Sequence, residues 1–139
     1  MKILVIDGQG GGMGKSIIES IRKQHASVEI IGVGTNSLAT SAMLKAGATA
    51  GATGENAVIF NSQDARVIIG PLGICFANSM LGEISPQMAN AVSSSKAEKL
   101  LIPMSKCHAN VVGIVDKPFN AYIDEMLKKL EEIMKPVII

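Results

Sequence analysis

Residues 7 to 16, DGQGGGMGKS, hold five glycines in ten positions and follow directly on the apolar run Ile3 to Ile6. A chain leaving a buried strand through glycine at this density must turn tightly. It then enters a helix at once, because Ile17, Ile18 and Ile21 recur at helical spacing. Such a turn points backbone N–H groups outward, and the helix N-terminus adds partial positive charge, so the unit suits phosphate. The candidate anion-binding residues are Asp7, Gly8, Gly10, Gly11, Gly12 and Gly14, with Lys15 or Ser16 assisting. The bland alternative is that the glycines only let strand and helix pack closely.

Short apolar runs alternate with helix-like segments along the rest of the chain, which predicts an α/β fold with a mostly parallel sheet of about five strands. Strands are expected at 3–6, 28–33, 67–69, 100–102 and 111–115. Only eight residues separate the last two, too few for a helical crossover, so that pair is expected to run antiparallel. Helices are expected after the glycine turn, from Asn36 or Ser37 to a stop at Gly47, from near Thr53, from Pro86, and from Pro118 to Pro136. In the last of these Phe119, Ile123, Met126, Leu130 and Ile133 line one side. The stretch 72–85 follows no clear period. The length of 139 residues predicts one three-layer domain over 1–139.

Composition bounds the partners. Charged residues make up 18% of the chain, below the ~25% usual for soluble domains, so a homo-oligomer that buries one face is expected. A net charge of +1 and 3% aromatic content give no reason to expect nucleic acid. No apolar stretch approaches the ~20 residues of a membrane span, and the first residues enter a strand directly, so a cytoplasmic protein without membrane association is expected. Cys75 and Cys107 form neither a disulfide framework nor a metal motif; Cys75 reads as a small buried hydrophobe and His25 as solvent-facing.

The turn can be compared with two kinds of phosphate loop. Gly11-Gly12-Met13-Gly14-Lys15-Ser16 resembles the variant P-loop of the ParA/MinD ATPases, yet that family's signature lysine falls on Gly10. Of the later strand ends, only Val115-Asp116 offers an acid for magnesium. Gly8-x-x-x-Gly12-x-Gly14 resembles the G-x-x-x-G-x-G of short-chain dehydrogenases, with Asp7 in place of their threonine. The second strand ends in Gly34-Thr35-Asn36, with no acid there to bind a ribose. The sole tyrosine, Tyr122, has Met126 four residues on, so the Y-x-x-x-K pair is absent.

Ligands of doubly wound sheets sit outside the carboxyl ends of the strands. Thr35 and Asn36 are therefore expected to meet a sugar or base, and Gly70, Asn78, Ser79 and Glu83 to line the remainder. A nucleotide such as NAD(P), or another phosphorylated small molecule, is the expected ligand. The rival expectation is a small enzyme acting on a phosphorylated or carboxylated metabolite, with Glu83, Lys106 and Cys107 as reactive groups.

Taken together, VIDGQGGGMGK, GTNSLATSAMLKAGATAGATGENAVI, IIGPLGICFANSMLGEISPQMA and LLIPMSKC resemble one family over almost the full length. It is a family of short bacterial proteins, a domain of unknown function known mainly from clostridia. The resemblance implies a Rossmann-like fold and carries no activity with it.

Overall fold

The computed structural model describes residues 1–104 and 108–136. Ile3, Leu4, Val5 and Ile6 are fully buried, which requires cover on both faces of their strand, β1 (Lys2–Asp7). β1 accordingly stands in the middle of a five-stranded sheet of order β3-β2-β1-β4-β5, with β2 at Glu29–Gly34, β3 at Ala50–Thr53, β4 at Val67–Pro71 and β5 at Glu98–Ile102. Every pairing is parallel. The order reverses between β1 and β4, which makes the fold a Rossmann-like doubly wound α/β sheet.

Alternate residues of β1 feed two cores. Ile3 and Val5 pack with Ile17, Ile18 and Ile21 of α1 (Gly12–Gln24), Met43 of α2 (Ser37–Ala46) and Ile123, Met126 and Leu130 of α5 (Phe119–Met134). Leu4 and Ile6 face the other way, onto Val58 of α3 (Glu55–Ser62) and Met88, Ala89 and Val92 of α4 (Pro86–Ser94). Asn36 caps α2 by accepting from the Ala39 N–H at 2.9 Å, and Ser85 caps α4 by accepting from Met88 at 3.1 Å. Gly47 ends α2 in the left-handed conformation at φ 119°.

Several expectations are corrected. The antiparallel last pair does not exist: 111–115 forms no strand and runs irregularly beside β5. Val111-Val112 and Ile114-Val115 carry a strand-like apolar signal, but Gly113 between them sits at φ 90° and breaks the extended run. The fifth strand is instead Ala50–Thr53, in a glycine- and alanine-rich stretch with little strand propensity of its own. It pairs because Gly51 lets Thr40 and Leu44 of α2 approach to within 3.0 Å of where a Cβ would stand. The short helix expected from near Thr53 is present, α3 starting at Glu55 behind Gly54. His25 is also not solvent-facing: its side chain is 19% exposed and lies 3.3 Å from the Glu131 carboxylate of α5. Cys75 is half-buried rather than buried, and burial pushes its thiol pKa up.

Arg22 ties three elements at the far end from the glycine turn. It donates to the carbonyls of Gly47 at 2.7 Å and Val28 at 2.5 Å, and to Thr49 Oγ1 at 2.9 Å. Removing it strands these acceptors in a partly buried site. Arg22→Ala is expected to lower unfolding stability by about 2 kcal/mol in urea titration, with no effect at the opposite edge of the sheet.

Candidate functional site

The five glycines of the turn divide by what surrounds them. Gly8 is buried, and a Cβ there would meet Thr35 Oγ1 at 2.7 Å and Glu83 Oε1 at 2.9 Å. Gly11 has φ 75° and would strike the α2 backbone at Ala39 Cα, 2.7 Å away. Gly14 would strike Met43 Sδ at 2.7 Å and Asp7 Cβ at 2.9 Å. These three serve the close packing of strand and helices. Gly10 and Gly12 are different: both are exposed, neither is left-handed, and no described residue lies within 4 Å of their Cβ positions. Their N–H groups also have no partner among the described residues, whereas Gly11 N–H donates to the Gly8 carbonyl at 2.9 Å. The fold itself does not require glycine at 10 or 12.

Asp7 holds the turn from below. Its carboxylate accepts from the N–H groups of Gly8 at 2.8 Å and Gly14 at 2.6 Å, and is 5% exposed. Burial pushes its pKa up, the two N–H groups oppose this, and the charge of Glu83 pushes it further up. A raised carboxyl pKa gives a stability contribution that is greatest at acid pH and declines as pH rises from about 4 through the raised value. Asp7→Asn removes that titration and leaves only one acceptor oxygen for two donors. The stability gap between wild type and Asp7→Asn is therefore expected to be largest near pH 4 and to shrink toward pH 7, measured by urea unfolding across that range. A gap that widens with pH would contradict the raised pKa.

Glu83 closes the turn from above. Its Oε1 accepts from the Gln9 N–H at 2.8 Å, from Thr35 Oγ1 and from Asn36 Nδ2 at 3.1 Å. These donors hold the carboxyl below its usual range, Thr35 contributing most. Asn36 Nδ2 also reaches the Gln9 carbonyl at 2.9 Å. Glu83 arrives on a loop in which Asn78, Met80 and Leu81 all have positive φ, between 56° and 66°, followed by Gly82 at 90°. Such backbone persists only where the surroundings over-determine it. Here Asn78 N–H donates to the Ile84 carbonyl at 2.6 Å, Ile84 N–H to Ser79 at 3.2 Å, and Ser79 Oγ to Gly73.

The sequence-derived residues thus fall into two groups. Gly8, Gly10, Gly11, Gly12, Gly14, Asp7, Thr35, Asn36 and Glu83 come together above β1 and β2. Lys15 points away, exposed and 3.9 Å from Glu19, and Ser16 faces a cleft between α1 and α5. Gly70 lies inside the sheet, where a Cβ would stand 2.4 Å from the Ile6 carbonyl oxygen. Ser79 is buried with its hydroxyl engaged, and Asn78 is exposed in the same loop. Lys106 and Cys107 lie outside the described residues. Gln9 escaped the sequence reading. Its left-handed φ of 51° aims its N–H at Glu83, and its place between two glycines was the available signal. Asp116 is exposed and follows no strand, so it is not the magnesium acid at a strand end that a P-loop would use. Tyr122 is structural, donating to the Val115 carbonyl at 3.1 Å.

The larger clefts lie on the helical flanks: 580 Å³ between α3 and α4, and 570 Å³ along α5. Their linings are mostly exposed amides, hydroxyls and charges, and neither includes a residue of the turn. A smaller apolar cleft of 350 Å³ separates β5 from α5, with Val111 and Ile114 at its rim. Among the described residues no helix is long and apolar enough to cross a membrane.

The family model of a domain of unknown function, DUF3842, matches residues 2–135. The chain belongs to the DUF3842 family. No curated protein matches it. Among solved structures, this DUF3842 chain is similar to a dodecameric FMN-dependent UbiX-like decarboxylase from Escherichia coli O157:H7. The TM-score is 0.47 at 16% identity, over 96% of this chain and 76% of that one.

Proposed function

We propose that this DUF3842 protein binds a nucleotide or dinucleotide, with its phosphate on the N–H groups of Gly10 and Gly12 at the head of α1. The observation that carries this reading is that these two glycines are the only ones in the turn that internal packing leaves unexplained. A ligand approaching the backbone there would account for both, and the helix dipole favours an anion at that point. Thr35, Asn36 and Glu83 flank the same opening on the β2 side. Thermal-shift and calorimetric titration with NAD, NADP, ATP, GTP and FMN are expected to show a rise in melting temperature with at least one of them. No shift with any at millimolar concentration overturns the reading.

A second reading is a small enzyme for a phosphorylated or carboxylated metabolite. It is favoured by the placement of two carboxyl groups at one turn, Asp7 with a raised pKa and Glu83 with a lowered one. Turnover that survives Asp7→Asn would remove its acid.

We also infer self-association. Val112 and Leu81 are each 99% exposed, and Val115 is 70% exposed beside the apolar cleft at β5. Sedimentation at high concentration is expected to give more than one chain's mass, and Val112→Lys to lower it. A monomer at all concentrations would refute this.

A further inference from the structure

We propose that Glu83 is the ribose-reading residue of the site, its free carboxylate oxygen accepting from the vicinal hydroxyls of an unphosphorylated ribose. This rests on the nucleotide reading above and narrows it to ligands with an intact 2′-hydroxyl. In doubly wound sheets the acid that binds the adenosine ribose stands at the end of the second strand. In this chain that strand ends in Gly34, Thr35 and Asn36, and no acid follows. The fold nevertheless brings one to the same place by another route. Glu83, 48 residues beyond Thr35, bonds to both Thr35 and Asn36 and to the Gln9 N–H.

The geometry fits reading better than mere fastening. All three donors converge on Oε1, and Oε2 has no partner among the described residues. One oxygen is therefore fixed and the other remains to accept from a ligand. The carboxylate also lies beside the first glycine of the turn, its Oε1 2.9 Å from where a Gly8 Cβ would be. The charge inventory points the same way. Arg22 is committed at the opposite end of the sheet and Lys15 lies 3.9 Å from Glu19, so neither is paired with Glu83. Glu83 is an anionic carboxylate at neutral pH, which favours hydroxyl donors and disfavours a second phosphate.

The test is calorimetric titration of the full chain with ADP, 2′-deoxy-ADP, NAD, NADP and inorganic pyrophosphate, in wild type and Glu83→Gln. Wild type is expected to bind ADP about tenfold more tightly than 2′-deoxy-ADP, and NAD about a hundredfold more tightly than NADP. Glu83→Gln is expected to flatten both ratios. Equal binding of ADP and 2′-deoxy-ADP by wild type overturns the ribose assignment and leaves the phosphate site standing. Discrimination that persists in Glu83→Gln overturns it as well. Binding of none of the five compounds overturns the ribose assignment, and the wider set of nucleotides named above then decides the nucleotide reading. The wild-type comparison needs no variant, so a Glu83→Gln chain that fails to fold does not shelter the proposal.

Discussion

A Gly12→Asp chain is expected to melt at or slightly above the wild-type temperature and to bind nucleotide at least about a hundredfold more weakly. The two effects have opposite signs for one reason. Gly12 is the first residue of α1, a helix with no acidic residue in its first turn, and its Cβ position opens to solvent. A carboxylate there meets the positive end of the helix dipole, worth ~0.3–1 kcal/mol, and replacing glycine restrains the unfolded chain. Asp7 already caps this end of the helix, which holds the gain toward the lower figure. A bound phosphate would face the new carboxylate at contact distance. Two unit charges 4 Å apart repel by about 4 kcal/mol at a surface dielectric near 20, more than the ~2.7 kcal/mol that a hundredfold requires. Differential scanning calorimetry and ligand titration on the same preparation check both halves. Unchanged affinity would remove phosphate from Gly12, and a fall of more than ~5 °C in melting temperature would show that Gly12 serves the fold.

Gly70→Ala is expected to do the reverse, costing about 3 kcal/mol or more of stability. The new methyl would sit 2.4 Å from the Ile6 carbonyl oxygen and 3.0 Å from Ile74 Cδ1. The first of these is backbone of the central strand and cannot swing aside, so β4 must move away from β1. With total stabilities of ~5–15 kcal/mol, such a loss removes much of the folded population at 37 °C. The urea midpoint measures it, with Gly10→Ala as the control at an open position. A Gly70→Ala chain within ~0.5 kcal/mol of wild type would contradict the close approach of these two strands.

These two glycines show what was legible in the sequence. Gly70 stands near the carboxyl end of β4 and Gly12 opens the helix that follows β1, and the sequence places both in the candidate site. What separates them is the surrounding atoms: a carbonyl in van der Waals overlap for one, open space for the other. Periodicity carried the strands that are apolar throughout, β1, β2 and β4, because burial on both faces leaves an unbroken hydrophobic signature. It failed for Ala50–Thr53, whose strand character comes from pairing with β2 and from room made by Gly51. It also failed for 111–115, where valine and isoleucine suggested a strand and Gly113 turned the chain instead. Glu83 was named as a candidate residue, but its contact with Thr35 is a product of the left-handed loop at 78–82, which no local spacing announces.

The sheet order has a consequence for how the two halves of the site exchange their amide hydrogens. The glycine turn hangs from β1, which is paired on both sides in the middle of the sheet, so the amides of that strand open only with the whole protein. The segment that presents Glu83 has no strand partner and is held by short turn bonds and one buried hydroxyl, so it belongs to the low-energy end of local opening. Deuterium uptake should therefore be slow at Leu4 to Ile6 with or without ligand. Residues 78 to 84 should exchange quickly in the free protein, and a ligand that engages Glu83 would slow them. The imprint of binding would then be recorded almost wholly on the side of the site that the sheet does not own.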